Sequence, residues 1–273
     1  MPQGFIDAKH HAFNDMLTPH EPIANDHSSL ALGERQTMKI IPFLSVLTAL
    51  AACSLPTTLR ADDEGVALAI IYDTSGSMRE SVRDSSGNSS PKYVIANRAL
   101  IAIAHQIEKF ATNNASGPPR RIECALFTFQ GEGAGTAIPL GPFDAQRIED
   151  WAKSFSKPGG STPLGNALTA ATQTVLSSSL NRKHVLVITD GNNTVGPTPA
   201  LAMTSLKQRA EQKHATVSVH FVAFDVDAKA FDPVKQLGAT VVGAANETQL
   251  NGQLDFILQK KILLEEEESP KSK

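Results

Sequence analysis

The sequence predicts an α/β fold in which helices cover both faces of a doubly wound, mainly parallel sheet. Apolar strand-like runs alternate with amphipathic helical segments, and this alternation is typical of βαβ units. The runs at residues 66–72 and 184–189 are largely apolar, as expected for parallel strands buried on both faces. An aspartate follows each of them, which places an acid at the carboxyl end of a strand.

The predicted elements follow one another at regular spacing. Strands are predicted at residues 66–72, 122–129, 184–189, 216–224 and 240–242, with a short antiparallel edge strand at residues 136–140. Helices are predicted at residues 91–110, 144–155, 163–176, 198–213, 227–237 and 248–264. Residues 81–90 are rich in Ser, Asp, Gly and Asn, a composition that predicts a polar loop.

Composition limits the classes of function. The formal net charge of −3 argues against a nucleic-acid partner, because such a partner calls for a basic patch. No segment after residue 62 is long and apolar enough to span a membrane. The two cysteines, Cys53 and Cys124, do not make a disulfide scaffold, and Cys124 is predicted to be a buried free thiol in a strand.

The N-terminal part has a different character. Residues 1–37 are polar and aperiodic and are predicted to be disordered, or an artefact of the gene model with translation starting at Met38. Residues 38–61 have a charged start, an apolar middle and a small final residue, as a signal peptide does. The sequence before Cys53 also resembles a lipobox, so a lipid anchor at Cys53 is the alternative. The main domain is then residues 62–262, followed by a charged tail at 263–273.

Oxygen-bearing side chains follow the first predicted strand. The run Asp73-Thr74-Ser75-Gly76-Ser77 places an aspartate and two hydroxyls at alternate positions on a turn. Carboxylate, hydroxyl and water oxygens suit Mg²⁺ or Mn²⁺, whereas zinc prefers His and Cys, which this run lacks. The run therefore indicates a metal site with a position open for a partner, or else a turn that caps the next helix.

Two later segments each hold one further candidate ligand. Thr162 precedes Pro163, which fits the first position of a helix because its missing N–H would have no partner there. Thr162 is predicted either to cap that helix with its hydroxyl or to turn the same oxygen toward a metal. Asp190 and Gly191 follow an apolar strand, where the aspartate is either a metal ligand or an ordinary strand-to-loop residue.

These three segments, in this order, resemble the metal-ion-dependent adhesion site of the von Willebrand factor A domain family. The resemblance covers roughly residues 64–262, and the matching positions are Asp73, Ser75, Ser77, Thr162 and Asp190. It implies a Rossmann-like fold, a secreted bacterial-type single-domain protein and a bound Mg²⁺ or Mn²⁺. It also implies that the two aspartates act largely through bridging water, which leaves the metal able to accept an Asp or Glu of a partner protein.

The same residues favour binding over catalysis. Neither Ser75 nor Ser77 lies in a Gly-x-Ser-x-Gly elbow, and the chain has no Walker-type phosphate loop. His184 and His220 fall at or inside predicted strands, where packing explains them. We therefore expect an extracytoplasmic domain, secreted or periplasmic, that serves adhesion or complex assembly. The alternatives are an intracellular type of subunit that works with an ATPase, and a structural module that never exchanges a ligand.

Other polar and aromatic residues have simpler interpretations. Asp225 and Asp227 follow another strand and resemble a calcium ligand pair, but Asp227 is better explained as a helix N-cap. Trp151 is expected to pack against the core. The loops expected to surround the metal and carry partner specificity are residues 79–90, 130–135 and 192–197.

Overall fold

The computed structural model describes residues 64–113 and 120–264, and a six-stranded sheet lies at its centre. The strands are β1 Val66–Tyr72, β2 Ser81–Arg83, β3 Ser89–Pro91, β4 Ile122–Gln130, β5 Gly133–Pro142, β6 Arg182–Thr189, β7 Val217–Phe224 and β8 Thr240–Ala244. The central sheet has the order β5-β4-β1-β6-β7-β8, and β2 pairs with β3 separately. Neighbours in the central sheet are parallel except β4 and β5, which are antiparallel.

Helices connect the strands and cover the sheet. They are α1 Lys92–Thr112, α2 Ala145–Ser154, α3 Leu164–Val175, α4 Pro199–Gln212, α5 Asp232–Gln236 and α6 Glu247–Ile257. Short 3₁₀ turns lie at Gly76–Arg79 and Ala228–Phe231, and a π-helical turn, Leu258–Leu263, continues α6. The N-termini of α2, α4 and α6 are capped by the side chains of Asp144, Thr198 and Asn246, each of which accepts a bond from a backbone N–H.

Two apolar layers hold the helices to the sheet. One layer joins a sheet face to α1, α2 and α6, and the other joins the opposite face to α3, α4 and α5. Every residue of β1 is buried, because Leu68, Ile70 and Tyr72 point into the first layer while the residues between them point into the second. The predicted fold class, a doubly wound and mainly parallel sheet with an antiparallel edge strand, is therefore confirmed.

The segment at residues 81–90 differs from its prediction. It forms the β2–β3 hairpin, and was wrongly predicted to be a polar loop. The turn between the strands is held by Asp84, whose Oδ1 accepts bonds from the N–H groups of Ser86 and Asn88. A second contact is long-range, since the Ser85 N–H donates to the Glu247 carboxylate at 2.7 Å. The edge strand β5 is also longer than predicted, because it pairs along most of β4.

Other side-chain predictions are confirmed. Asp227 caps the 3₁₀ turn that follows β7, since its carboxylate accepts a bond from the Lys229 N–H at 3.0 Å. Cys124 is a buried free thiol, and burial raises its pKa to about 12. Trp151 packs edge-on against Tyr72 and stacks on Phe155, as expected of a core residue.

Two findings concern the ends of the chain and the membrane. Within residues 64–113 and 120–264, no helix is long and apolar enough to cross a membrane. The predicted extension, the signal peptide, the Cys53 anchor and nearly all of the charged tail lie outside the described residues.

Two buried histidines pack against each other inside the sheet. His184 on β6 and His220 on β7 stack with ring centroids 5.6 Å apart, and His184 Nδ1 lies 3.3 Å from His220 Nε2. Burial lowers the pKa of His184 to about 3 and that of His220 to about 4, with nearby positive charges adding to both shifts. Both rings are therefore neutral in the folded protein at neutral pH, as packing residues are.

This pair is expected to make the protein acid-sensitive. Below pH 6.5 the unfolded chain protonates both rings while the folded protein does not, so stability falls with pH by about 2 kcal/mol per histidine at pH 5. Denaturant unfolding at pH 7.5 and pH 5.0 measures the loss. Between these two pH values, the free energy of unfolding of the double variant His184→Asn/His220→Asn should fall markedly less than that of the wild type. His105→Asn, which changes an exposed histidine, should lose as much as the wild type does. An equal loss in the double variant would contradict the assignment.

Candidate metal site

The candidate ligands meet where the strand order of the sheet reverses. The chain goes from β1 to β4 on one side and later continues through β6 on the other, so the reversal lies between β1 and β6. Asp73 follows β1 and Asp190 follows β6, and the Asp73 N–H donates to the Ile188 carbonyl at 3.0 Å. Ligands bind open α/β sheets at this kind of switch point, at the carboxyl ends of the strands.

Asp73 is held in one orientation by two hydrogen bonds. It is fully buried, and its Oδ1 accepts a bond from the Ser75 N–H at 2.8 Å. Its Oδ2 accepts a bond from the Thr189 hydroxyl at 2.6 Å. Burial raises the pKa of the Asp73 carboxyl, and the nearby Asp190 charge raises it further, although these hydrogen bonds act in the opposite direction. The carboxylate is thus fixed but costly to keep charged without a cation nearby.

A line of oxygen atoms connects the first loop to Asp190. The Ser75 and Ser77 hydroxyl oxygens lie 3.0 Å apart, and the Ser77 hydroxyl donates to Asp190 Oδ1 at 2.8 Å. Ser75 and Asp190 are both buried. Three of the predicted ligands are therefore in direct contact, although they come from two loops.

Thr162 joins this group from a third loop. The Thr162 N–H donates to the Thr194 hydroxyl at 2.8 Å, and the Thr162 carbonyl accepts from the Thr194 N–H at 3.0 Å. Ser77 Oγ and Thr162 Oγ1 each lie 3.7 Å from the point where a side chain on Gly191 would begin. The two hydroxyls therefore face the same small space beside Gly191.

Thr162 does not cap α3, contrary to one of the two predictions for it. The helix begins at Leu164, and Pro163 takes the capping position with φ −82° and ψ 55°, so it is not the first helical residue. A free N–H at this end is instead satisfied by Asn193, whose Oδ1 accepts from the Gly165 N–H at 3.1 Å. Within the part of the chain that the structure describes, the Thr162 hydroxyl has no hydrogen-bond partner.

One charged residue of the site was missed by the sequence analysis. Lys92, the first residue of α1, is 2% exposed, and its Nζ lies 3.1 Å from Asp190 Oδ2. The same ammonium lies 2.9 Å from Glu80 Oε2 and 3.0 Å from Asp225 Oδ2. A lysine just after a proline at a helix start is usually exposed, so the sequence offered no signal for it.

The neighbouring loops close around the candidate ligands. The Gly76 N–H donates to the Gly160 carbonyl at 3.2 Å, which ties the first ligand loop to the third. The Asn166 side chain donates to the Glu132 carbonyl at 2.7 Å, which ties α3 to the β4–β5 turn. Of the rim predicted from the sequence, residues 130–135 therefore contact the start of α3, and residues 192–197 contact Thr162 through Thr194.

The donor set suits a hard divalent cation. It consists of three neutral hydroxyls and two carboxylates, and oxygen donors of this kind are the ones that Mg²⁺ and Mn²⁺ accept. The described residues contain no group of three or more His, Cys, Asp or Glu side chains arranged for a metal ion. A nitrogen- or sulfur-rich site is therefore not formed in this part of the chain, and any metal here would rely on the hydroxyls.

Comparison with known proteins agrees with this architecture. Residues 68–193 match the family model described as the von Willebrand factor type A domain, and that stretch contains all five candidate ligands. No curated protein matches the sequence.

Several solved structures share the fold. The PilB minor pilin from Streptococcus sanguinis is 15% identical, with a TM-score of 0.54 and coverage of 72% of this chain and 61% of the pilin. Proximal thread matrix protein 1 from the mussel byssus, solved with a zinc-occupied MIDAS motif, is 16% identical, with a TM-score of 0.52 and coverage of 72% and 48%. The vWF domain of the type V pili tip protein Mfa5 from Porphyromonas gingivalis is 13% identical, with a TM-score of 0.51 and coverage of 72% and 95%.

These identities show a common fold and no more. The chain spans 61% of the pilin that it matches, so the activity of that whole protein does not transfer to it. The likeness to a family comes from the model match, which includes the ends of both strands that lead into the candidate aspartates. Residues 68–193 of this chain therefore carry the sequence pattern of the von Willebrand factor type A domain family.

Proposed function

We propose that this chain is a protein-binding module that holds a divalent metal ion and uses it to capture an acidic residue of a partner. The observation that carries the proposal is the Thr162 hydroxyl, which is not used as a helix cap and faces the same space as Ser77. The residues proposed to hold the metal are Asp73, Ser75, Ser77, Thr162 and Asp190.

The preferred metal is Mg²⁺ or Mn²⁺, because the donors are all oxygen. When bound, the ion supplies a positive centre that attracts a carboxylate. Three of the five donors are neutral, and both aspartates already accept hydrogen bonds from other groups, so the ion keeps much of its charge for an external Asp or Glu. Zinc also belongs in any test, since the related mussel protein was solved with zinc at its MIDAS motif.

Binding is favoured over catalysis by the contacts of the serines. Among the described residues, the hydroxyls of Ser75 and Ser77 bond to each other and to Asp190, and no histidine contacts either of them. His184 and His220 bond to each other inside the sheet. In the described part of the chain these hydroxyls therefore lack the histidine base of a Ser–His nucleophile pair.

The proposed location is extracytoplasmic, either secreted or periplasmic. It is supported by the signal-peptide pattern of residues 38–61, with a lipid anchor at Cys53 as the alternative. Solved structures that share the fold include pilin and pilus-tip proteins, which agrees with a role outside the cell.

One observation favours a second candidate function, a structural module that exchanges no ligand. Lys92 already pairs with Asp190 at 3.1 Å, so part of the negative charge of the site is neutralised by the protein itself. In that case the polar cluster would serve only to join the loops at the end of the sheet.

Metal titration into the Thr162→Val variant separates the two candidates. If Thr162 is a ligand, valine keeps its shape but removes the oxygen, and the Kd for Mg²⁺ or Mn²⁺ should rise about tenfold or more. The matched control is Thr169→Val, which removes a hydroxyl that donates to the Gly165 carbonyl within the same helix. Calorimetry of the full chain with Mg²⁺, Mn²⁺ and Zn²⁺ measures these constants. Equal affinity in Thr162→Val and wild type would remove Thr162 from the site and favour the structural module.

A further inference from the structure

The buried ammonium group of Lys92 is the centre of an ionic cluster beside the proposed metal ligands. Its ammonium group contacts Asp190, Glu80 and Asp225, with Nζ–oxygen distances of 3.1, 2.9 and 3.0 Å. The three carboxylates come from the turn after β1, the end of β6 and the end of β7. Three N–H donors therefore have three acceptors, and the ammonium is fixed in place.

The position of Lys92 is also fixed by its backbone. Its N–H donates to the Glu80 carbonyl at 2.8 Å, which ties the start of α1 to the loop that carries Ser75 and Ser77. Asp225 has φ 55°, a conformation that few residues other than glycine adopt, and there its side chain contacts Lys92. The backbone at Lys92 and at Asp225 therefore helps to hold the two side chains of this ion pair in place.

The Asp190 carboxylate is shared between two partners. Its Oδ1 accepts a bond from the Ser77 hydroxyl, while its Oδ2 faces the Lys92 ammonium. Binding a metal through both oxygens would require Lys92 to move away. The observed arrangement leaves only the Oδ1 side of Asp190 turned toward the hydroxyls.

The charges of the buried groups set the net charge of the metal-loaded site. Asp73, Asp190 and Lys92 are all buried, and together they carry two negative charges and one positive charge. A divalent ion leaves this set one positive charge in excess, and one external carboxylate neutralises it. Glu80 and Asp225 weigh less in this balance, because their side chains are 69% and 39% exposed and water screens them.

We propose that Lys92 is a positioning residue that keeps Asp190 from binding the metal through both oxygens and makes the metal-loaded site select a carboxylate. This inference rests on the proposed function, because it concerns the ligand preference of the same site. Without Lys92, Asp190 is free to approach the metal, and the loaded site no longer has excess positive charge. Metal affinity and carboxylate affinity then change in opposite directions, which loss of a purely structural contact would not cause.

The test uses Mn²⁺ and acetate as probes of the full chain. Calorimetry gives the Kd for Mn²⁺, and broadening of the acetate methyl proton signal by the Mn²⁺-loaded protein gives the affinity for a carboxylate. In Lys92→Met we expect about tenfold tighter Mn²⁺ binding and about tenfold weaker acetate binding, as the loss of one nearby charge implies. Lys92→Gln, which still donates a hydrogen bond to Asp190, should change both in the same directions and remains informative if Lys92→Met does not fold.

Two further variants complete the test. Lys109→Met removes the same charge from an exposed position on the same helix and should change neither constant. Lys92→Arg keeps the charge and should retain acetate binding. If the wild type binds Mn²⁺ and both Lys92→Met and Lys92→Gln bind it equally or more weakly, this inference alone is overturned. A wild type that binds no Mn²⁺ would overturn the proposed function, and this inference with it.

Discussion

Replacing Asp73 with asparagine is expected to abolish Mg²⁺ and Mn²⁺ binding and, without metal, to raise the free energy of unfolding at pH 7. Burial and the Asp190 charge raise the folded pKa of Asp73 above its unfolded value, so the metal-free fold loses stability as the pH rises from 3.8. Asparagine carries no charge and avoids this cost, which is on the order of 1 kcal/mol or more. The hydrogen bonds can adapt, because the Thr189 hydroxyl has the Gly191 carbonyl 3.2 Å away as another acceptor.

Two measurements check this prediction. Calorimetric titration gives metal affinity, and denaturant unfolding in the presence of a chelator gives stability. Asp227→Asn is the control, since it changes an exposed aspartate to an asparagine that caps as well, and should leave both quantities unchanged. An Asp73→Asn variant that binds Mn²⁺ as the wild type does would remove this residue from the metal site. If Asp73→Asn has a lower free energy of unfolding than the wild type without metal, the charge on Asp73 does not destabilise the metal-free fold.

Changing Gly165 to alanine is expected to destabilise the protein, although alanine normally favours helices. A side-chain carbon at Gly165 would overlap the Pro197 carbonyl oxygen and lie 2.8 Å from its carbonyl carbon. Both atoms belong to the backbone and cannot rotate away, so the cost is about 2–3 kcal/mol. The 192–197 loop must move, and because Thr194 holds Thr162 through two hydrogen bonds, metal binding should weaken as well.

Gly252 provides the matched control for this prediction. It lies in α6, and a side-chain carbon there would have no neighbour within 4 Å. Gly252→Ala should therefore stabilise the protein by about 0.5–1 kcal/mol, the usual helix preference for alanine. Thermal unfolding of the two variants should show melting temperatures that shift in opposite directions. A Gly165→Ala variant as stable as Gly252→Ala would mean that α3 and the 192–197 loop do not pack this closely.

The central strands were predictable because strands that are buried on both faces have a largely apolar sequence. β1 is apolar throughout, and β6 contains the apolar run Val185-Leu186-Val187-Ile188, as strands covered on both faces require. The two aspartates after them were predicted to meet at one edge, and they do, since β1 and β6 are neighbours. The extent of β5 was not predictable, because its glycine-rich and proline-containing sequence gains its regularity from pairing with β4.

The two Thr-Pro pairs show where local sequence stops being informative. Thr198 caps α4 with its hydroxyl, and Pro199 is the first residue of that helix. Thr162 and Pro163 have the same local sequence but do neither, because Asn193 comes from a distant loop to satisfy the start of α3. Lys92 was missed for a similar reason, as its three carboxylate partners lie in separate parts of the chain. Such contacts are decided by tertiary structure.

The proposed metal site can be located by a crystal structure with Mn²⁺, with anomalous scattering recorded at the manganese edge. We expect a strong anomalous peak at the carboxyl ends of β1 and β6, at about 2.0–2.3 Å from the hydroxyl oxygens of Ser75, Ser77 and Thr162. Asp190 should still contact Lys92 in that structure. A protein saturated with Mn²⁺ whose only anomalous peaks lie elsewhere, or that shows none, would contradict the metal site and leave these residues as a structural cluster.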